Sequence, residues 1–151
     1  MPQSGTALDE NVKEEIRAFK MDQSKVKVPW MLMEIVQNDD RIDVVKVTKK
    51  AGPSDNLETL REELKQREVV YFVLDYEPSE EKRAKHNIPK GKTYPLTCFW
   101  SMETANIKLK MKYSSTVGTL KSATSTLKTY LEAHDFDDLS EEAIGDKIKN
   151  F

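Results

Sequence analysis

Every charged side chain between Thr104 and Leu131 is a lysine: Lys108, Lys110, Lys112, Lys121 and Lys128 stand in that stretch with no acid among them. Ammonium groups are almost never buried without a partner. Whatever this part of the chain folds into must therefore leave a positive face in water, open to an acidic partner surface. The first three of these lysines alternate with Ile107, Leu109, Met111 and Tyr113, and a period of two is the pattern of a half-buried strand. The flanks argue for a helix instead. Thr104 and Ala105 open the segment as a capped helix opens, and a helix would set Lys108 and Lys112 one turn apart beside Ile107 and Met111. Pattern alone leans to the strand and leaves both open. A run of lysines between apolar residues is also what an ordinary solvated face looks like.

Around this segment the chain reads as one domain, residues 1–151, without repeats, low-complexity tracts or a dividing linker. Residues 1–8 are expected to be a flexible N-terminal segment. Asp9 can cap a first helix with Val12, Ile16 and Phe19 on one face, failing around Met21 to Lys27. Strands are expected from Val28 to Val36 and from Ile42 to Thr48, joined as a hairpin by Asn38-Asp39-Asp40. Gly52-Pro53 stops the second strand. Asp55 with Glu58 has the form of a capping box heading a helix that carries Leu57, Leu60 and Leu64 on one side. A buried strand, Val69 to Tyr76, follows, then a polar loop from Glu77 to Lys92 and a strand from Tyr94 to Trp100. A last strand near Leu127 to Ala133 and a helix after Ser140, with Leu139 stapled onto Ile144, complete the order. This is an α/β chain of the α+β type.

Composition removes several functional classes. The 151 residues suffice for a core without metals or disulfides. The longest apolar runs, such as Val69 to Leu74, are far too short to span a bilayer. The N-terminus has no basic-then-apolar signal pattern, and Cys98 is the single cysteine, so a cytoplasmic address is expected. A net charge of −2 excludes a globally basic nucleic-acid binder but conceals an asymmetry between the lysine-only stretch and an acidic tail from Glu132 to Asp146. Trp30, Tyr71, Phe72 and Phe99 lie inside expected strands and read as core, not as a base-stacking platform. His86 and His134 have no metal-binding or catalytic companions and read as surface residues, and Cys98 as a buried inert thiol. The acids between Asp135 and Glu142 lack calcium-loop spacing and suit the start of the final helix instead. Neither enzymatic activity nor a metal or cofactor is expected. The chemistry should be that of binding.

The segment Trp100 to Ser115 resembles the signature of the actin-depolymerising factor homology family, in particular its actin-depolymerising factor/cofilin members. Trp100, Ser101, Ala105, Lys108, Lys110, Met111, Tyr113 and Ser115 fall on that pattern without a gap. Ser4-Gly5 with Ala7 and Asn11 is similar to the cofilin opening, Val69 to Glu77 to the family's central strand, and Tyr130 to Ile148 to its last strand and C-terminal helix. There are departures: Met102 replaces a proline, Val117-Gly118 replaces Lys-Asp, and Pro95 stands inside an expected strand.

The resemblance implies a mixed five-stranded sheet with helices on both faces, and it makes the lysine segment the long, kinked, actin-contacting helix. It implies a monomeric protein of the actin cytoskeleton whose partner is actin, as monomer and as filament. Filaments would be severed and depolymerised, with the nucleoside-diphosphate state of actin preferred. Monomer contacts would come from Ser4, Gly5, Lys108, Lys110 and Met111, with Ser4 as an inhibitory phosphorylation site. Lateral filament contacts would come from Lys82, Arg83, Lys85 and Lys92 in the loop and from Asp146 and Lys147 on the last helix. The next basic position of that helix is Asn150 here, beside Lys149, which weakens the match there. The basic patches would also suit phosphoinositide headgroups. Glia maturation factors, which act on the actin-related branching complex and promote debranching, resemble the chain at Ile16 to Lys20, Leu60 to Leu64 and Thr93 to Leu96. They are the competing reading.

Overall fold

The computed structural model describes residues 7–21, 28–127 and 129–148. Its centre is β4 (Val69–Tyr76), buried along its whole length. Val69, Tyr71 and Val73 enter one apolar cluster, and Val70, Phe72, Leu74 and Tyr76 enter another. A strand apolar on both sides has to be covered on both sides. Antiparallel to it run β2 (Trp30–Gln37) and β5 (Tyr94–Ser101). β3 (Asp43–Lys50) pairs antiparallel with β2, while β6 (Thr129–Ala133) lies parallel beside β5. β1 (Ala7–Leu8) is a short parallel strand on β3, giving the order β1-β3-β2-β4-β5-β6.

Among the described residues the sheet thus has six strands and not the expected five. β1 is the addition, and it takes Ala7 and Leu8 out of the segment expected to be flexible, since they pair with Val44 and Val45. Two residues are too few to show any periodicity. Pro95 lies within β5 without breaking it. Opposite it, the Asp75 N–H donates to Pro29 O on the β2 side, so Pro95 faces away from β4, and β6 begins to pair only at Leu96. The missing N–H therefore falls where no strand needs it.

One face of the sheet is covered by α1 (Glu10–Met21), α4 (Ile107–Ser115) and α5 (Val117–Ala123), through Val12, Ile16, Phe19, Tyr113 and Leu120. The other is covered by α2 (Leu57–Leu64) and α6 (Glu141–Lys147), through Leu60, Leu64 and Ile144. The expected caps at Asp9 and Ser140 are present, donated to by Asn11 N–H at 3.0 Å and Ala143 N–H at 3.1 Å. Leu139 and Ile144 are both fully buried, as a staple requires. The capping box of α2 is built by Asn56 and Thr59, not by Asp55 and Glu58. Asp55 is committed to the preceding turn, where its carboxylate accepts the Gly52 N–H at 2.7 Å. The segment from Glu77 to Lys92 is likewise not all loop: α3 (Glu80–His86) lies inside it, capped by Ser79 and ended by Asn87 at φ 56°. No residue of α3 is buried, so it carries no apolar stripe for the sequence to reveal.

Candidate functional site

The lysine segment is helical. Asn106, not Thr104, caps α4: its side-chain oxygen accepts the N–H groups of Lys108 at 2.9 Å and Leu109 at 3.2 Å. Glu68 holds that cap in place by accepting the Asn106 N–H at 2.9 Å. Of the four apolar residues that produced the alternation, Leu109 and Tyr113 pack on the core, four positions apart. Ile107 and Met111, also four apart, face water at 67% and 64% exposure. Two interleaved helical stripes thus imitate a strand pattern.

Tyr113 sets the depth of α4 on the sheet. Its hydroxyl accepts the Ile35 N–H of β2 at 2.9 Å, and its ring sits 4.9 Å from that of Tyr71. The Tyr71 hydroxyl donates to the Tyr113 carbonyl at 2.5 Å. Burial raises the Tyr71 hydroxyl well above the ordinary tyrosine value and the Tyr113 hydroxyl above it, so both stay protonated. At Thr116 the helix breaks. The Thr116 N–H turns to the Tyr113 carbonyl at 3.2 Å, and its hydroxyl takes the Lys112 carbonyl at 3.0 Å, where a continuing helix would place that N–H. Both diverted carbonyls lie in one turn, so α4 and α5 are separate rods meeting at a buried threonine.

The positive face is narrower than the lysine count suggests. Lys112 Nζ is 2.9 Å from the Asp43 carboxylate, and Lys110 Nζ donates to the Glu103 carbonyl at 3.1 Å. Lys108 is exposed and has no ion-pair partner among the described residues. It stands beside Ile107 and Met111. This trio is the outward patch of α4, and Ile107 is the member that sequence reasoning missed. Its signal was the four-residue spacing to Met111. Ser4 and Gly5 lie outside the described residues.

The second group of expected site residues falls on α3, its following loop and α6. Lys82 Nζ lies 3.9 Å from Asp146 Oδ1, which ties α3 to α6. Arg83 is turned inward, 14% exposed, within 3.5 Å of the Glu77 carboxylate and 3.4 Å of the Pro78 carbonyl. It is the least available of the group. Lys85 and Lys147 are exposed, and Lys92 Nζ sits 5.7 Å from the centre of the Tyr94 ring. α6 packs on the face opposite to α4, so the two groups belong to different layers of the molecule.

Among the described residues no reactive constellation assembles. Burial raises the Cys98 thiol well above its ordinary value. His134 is occupied, its Nδ1 lying 2.9 Å from the Ser101 carbonyl. Among the described residues no group of three His, Cys, Asp or Glu side chains could hold a metal ion, and no helix is long and apolar enough to cross a membrane. A half-open cleft of about 330 Å³ is lined by Asp55, Glu77, Glu80, Glu141 and Arg83 among others, with Ser79 but no histidine or cysteine to activate it.

A family model described as cofilin/tropomyosin-type actin-binding protein matches residues 5–149. Depactin of Asterias amurensis is 99% identical over 150 residues, which is 99% of this chain and 100% of depactin. Cofilin of Yarrowia lipolytica is 25% identical over 149 residues, covering 98% of this chain and 89% of that protein. The crystal structure of Streptomyces griseoflavus cofilin superposes with a TM-score of 0.72 at 19% identity, covering 95% of this chain and 98% of that one. At that identity the likeness speaks for the fold.

Proposed function

The chain belongs to the cofilin/tropomyosin-type actin-binding protein family, and from that premise we propose that it binds actin through the outward patch of α4 and promotes filament depolymerisation and severing. The observation that carries this reading is the pair Ile107 and Met111, two large apolar side chains left in water on a well-anchored helix with Lys108 beside them. Covering the remaining exposed surface of two such side chains is worth at most about 1.5–3 kcal/mol each. A lysine at the edge of the patch adds selectivity for an acidic groove and speeds encounter more than it adds affinity. Met111, being unbranched and polarizable, adapts to an irregular apolar wall.

The charged shoulder formed by Lys82, Lys85, Lys92, Asp146 and Lys147 supplies the second contact, to the neighbouring subunit of a filament. Arg83 serves mainly as an internal tie. With contacts on two layers, the protein favours whichever filament geometry lets both be made at once. Its binding energy then shifts the filament away from its resting twist, as differential affinity for two states must. The nucleoside-diphosphate state of actin is the preferred partner. Nothing covalent is required, and the protein acts by binding as a monomer in the cytoplasm. Phosphoinositide headgroups would compete for the same exposed lysines. A phosphate on Ser4 would place nearly two negative charges against the acidic partner and weaken binding.

The test is co-sedimentation with filaments and affinity for monomeric actin, for the wild type and a Lys108→Ala/Lys110→Ala variant. Binding should fall while the fold survives. Equal binding by both proteins would remove these lysines from the interface. Failure of the wild type to pellet with filaments, together with release of branches, would move the function to the actin-related branching complex.

A further inference from the structure

Gly145 sits in the middle of α6, buried, where glycine is a poor helix residue. What occupies the space of its absent side chain is Lys82. A Cβ built on Gly145 would meet Lys82 Nζ at 2.0 Å, Cε at 2.8 Å and Cδ at 3.1 Å, and these are its three nearest neighbours. The ammonium end of the α3 lysine therefore occupies the place that a side chain at Gly145 would take, 3.9 Å from the Asp146 carboxylate. α3 contributes no buried side chain of its own. Its attachment rests on this strap, on the inward ties of Arg83 and on the buried Ile88 that follows it.

We infer that Gly145 is a positioning residue for the filament-binding shoulder: by admitting Lys82 it docks α3 on α6, so that Lys85 and Lys92 on one side and Asp146 and Lys147 on the other form a single surface. This rests on the reading of that shoulder as the second actin contact, and it adds a residue that carries no charge and touches no partner. A methyl group at this position displaces only the far end of a flexible side chain. Its cost falls on the placement of α3 and not on the packing of the core.

The experiment compares Gly145→Ala, Lys82→Ala and the double variant in three measurements: thermal unfolding, affinity for monomeric actin, and co-sedimentation with filaments. Gly145→Ala should unfold at the wild-type temperature or up to about 3 °C above it, because alanine is the better helix former. Its monomer affinity should be unchanged, and its filament affinity should fall about two- to fivefold, the loss typical of a disordered charged contact. Lys82→Ala should show the same selective loss, and the double variant should be no weaker than Lys82→Ala alone, because once the lysine is gone the methyl group has nothing to displace. Wild-type filament binding by Gly145→Ala, with Lys82→Ala still impaired, would overturn the positioning role and leave the shoulder intact. Undiminished binding by Lys82→Ala and by Lys85→Ala/Lys92→Ala would remove the shoulder itself, and the inference with it. A drop in unfolding temperature for Gly145→Ala that persists in the double variant would make the glycine a packing residue and also overturn the proposal.

Discussion

Replacing Tyr71 by phenylalanine removes one oxygen atom from the middle of the molecule and tests how α4 is held at the angle its partner needs. The Tyr71 ring is fully buried, and its hydroxyl donates to the Tyr113 carbonyl at 2.5 Å. The phenyl ring of the variant would fill the same space, so the cavity is negligible. The carbonyl keeps the Thr116 N–H at 3.2 Å and is not orphaned. The loss is then the buried hydrogen bond to the Tyr113 carbonyl, about 1–1.5 kcal/mol, with the side-chain contact between Tyr71 and Thr116 lost beside it. For a domain of this size, that lowers the unfolding temperature by about 2–6 °C. Because the hydroxyl is one of the groups that hold the break at Thr116, actin affinity should fall as well, although Tyr71 lies in the core. Tyr113→Phe provides the internal scale: it leaves the Ile35 N–H of β2 without its acceptor, a desolvated donor that costs about 1–3 kcal/mol. Calorimetry with monomer-binding titrations should rank wild type above Tyr71→Phe, and Tyr71→Phe at or above Tyr113→Phe. A Tyr71→Phe protein with wild-type stability and affinity would show that the break is set elsewhere and refute the reasoning.

Other expectations follow from single contacts. Asn106→Ala removes the cap of α4 and should cost about 1 kcal/mol, seen as faster amide exchange at Lys108 and Leu109; unchanged exchange would mean that Glu68 alone orders the turn. Hydrogen bonds from Lys49 first, at 2.6 Å, and then from Arg67, at 2.9 Å, hold the Glu63 carboxyl below its ordinary value of 4.5. A depressed folded value means that this stabilisation is complete above the ordinary value and is lost as pH falls through the lower, folded one. Glu63→Gln should therefore lose stability less steeply than wild type below about pH 4.5 in denaturant titrations, and identical acid limbs would contradict the assignment. Asp43→Asn releases Lys112 from its 2.9 Å pair and widens the positive face. It should speed association with actin at low salt and converge on wild type at high salt.

Much of the fold was legible because its signals are local. Val12, Ile16 and Phe19 announced α1, the apolar run of β4 announced the sheet, and Leu139 with Ile144 announced the entry to α6. What failed was where two side chains competed for one role. Asp55 and Asn56 both suit an N-cap, and the choice turned on the Gly52 N–H, a contact within the turn that pattern cannot rank. α3 was invisible because nothing in it is buried. In the candidate site, the residue types of α4 were legible and their directions were not. Alternation arises equally from a strand and from two helical stripes, and only the motif resemblance chose the helix. The sequence also could not reveal that Asp43 and the Glu103 carbonyl engage two of the three lysines, since both partners come from outside the helix. That left Ile107 and Met111, not charge, as the broader part of the patch.

The most direct test is the affinity of a Met111→Asp variant for monomeric actin. Met111 is 64% exposed and makes no part of the core, so the fold should be untouched. If the patch meets an acidic, apolar groove as proposed, an acid set in its middle should weaken binding by at least about tenfold, or 1.4 kcal/mol. Wild-type affinity in a normally folded Met111→Asp protein would place the actin contact somewhere other than α4.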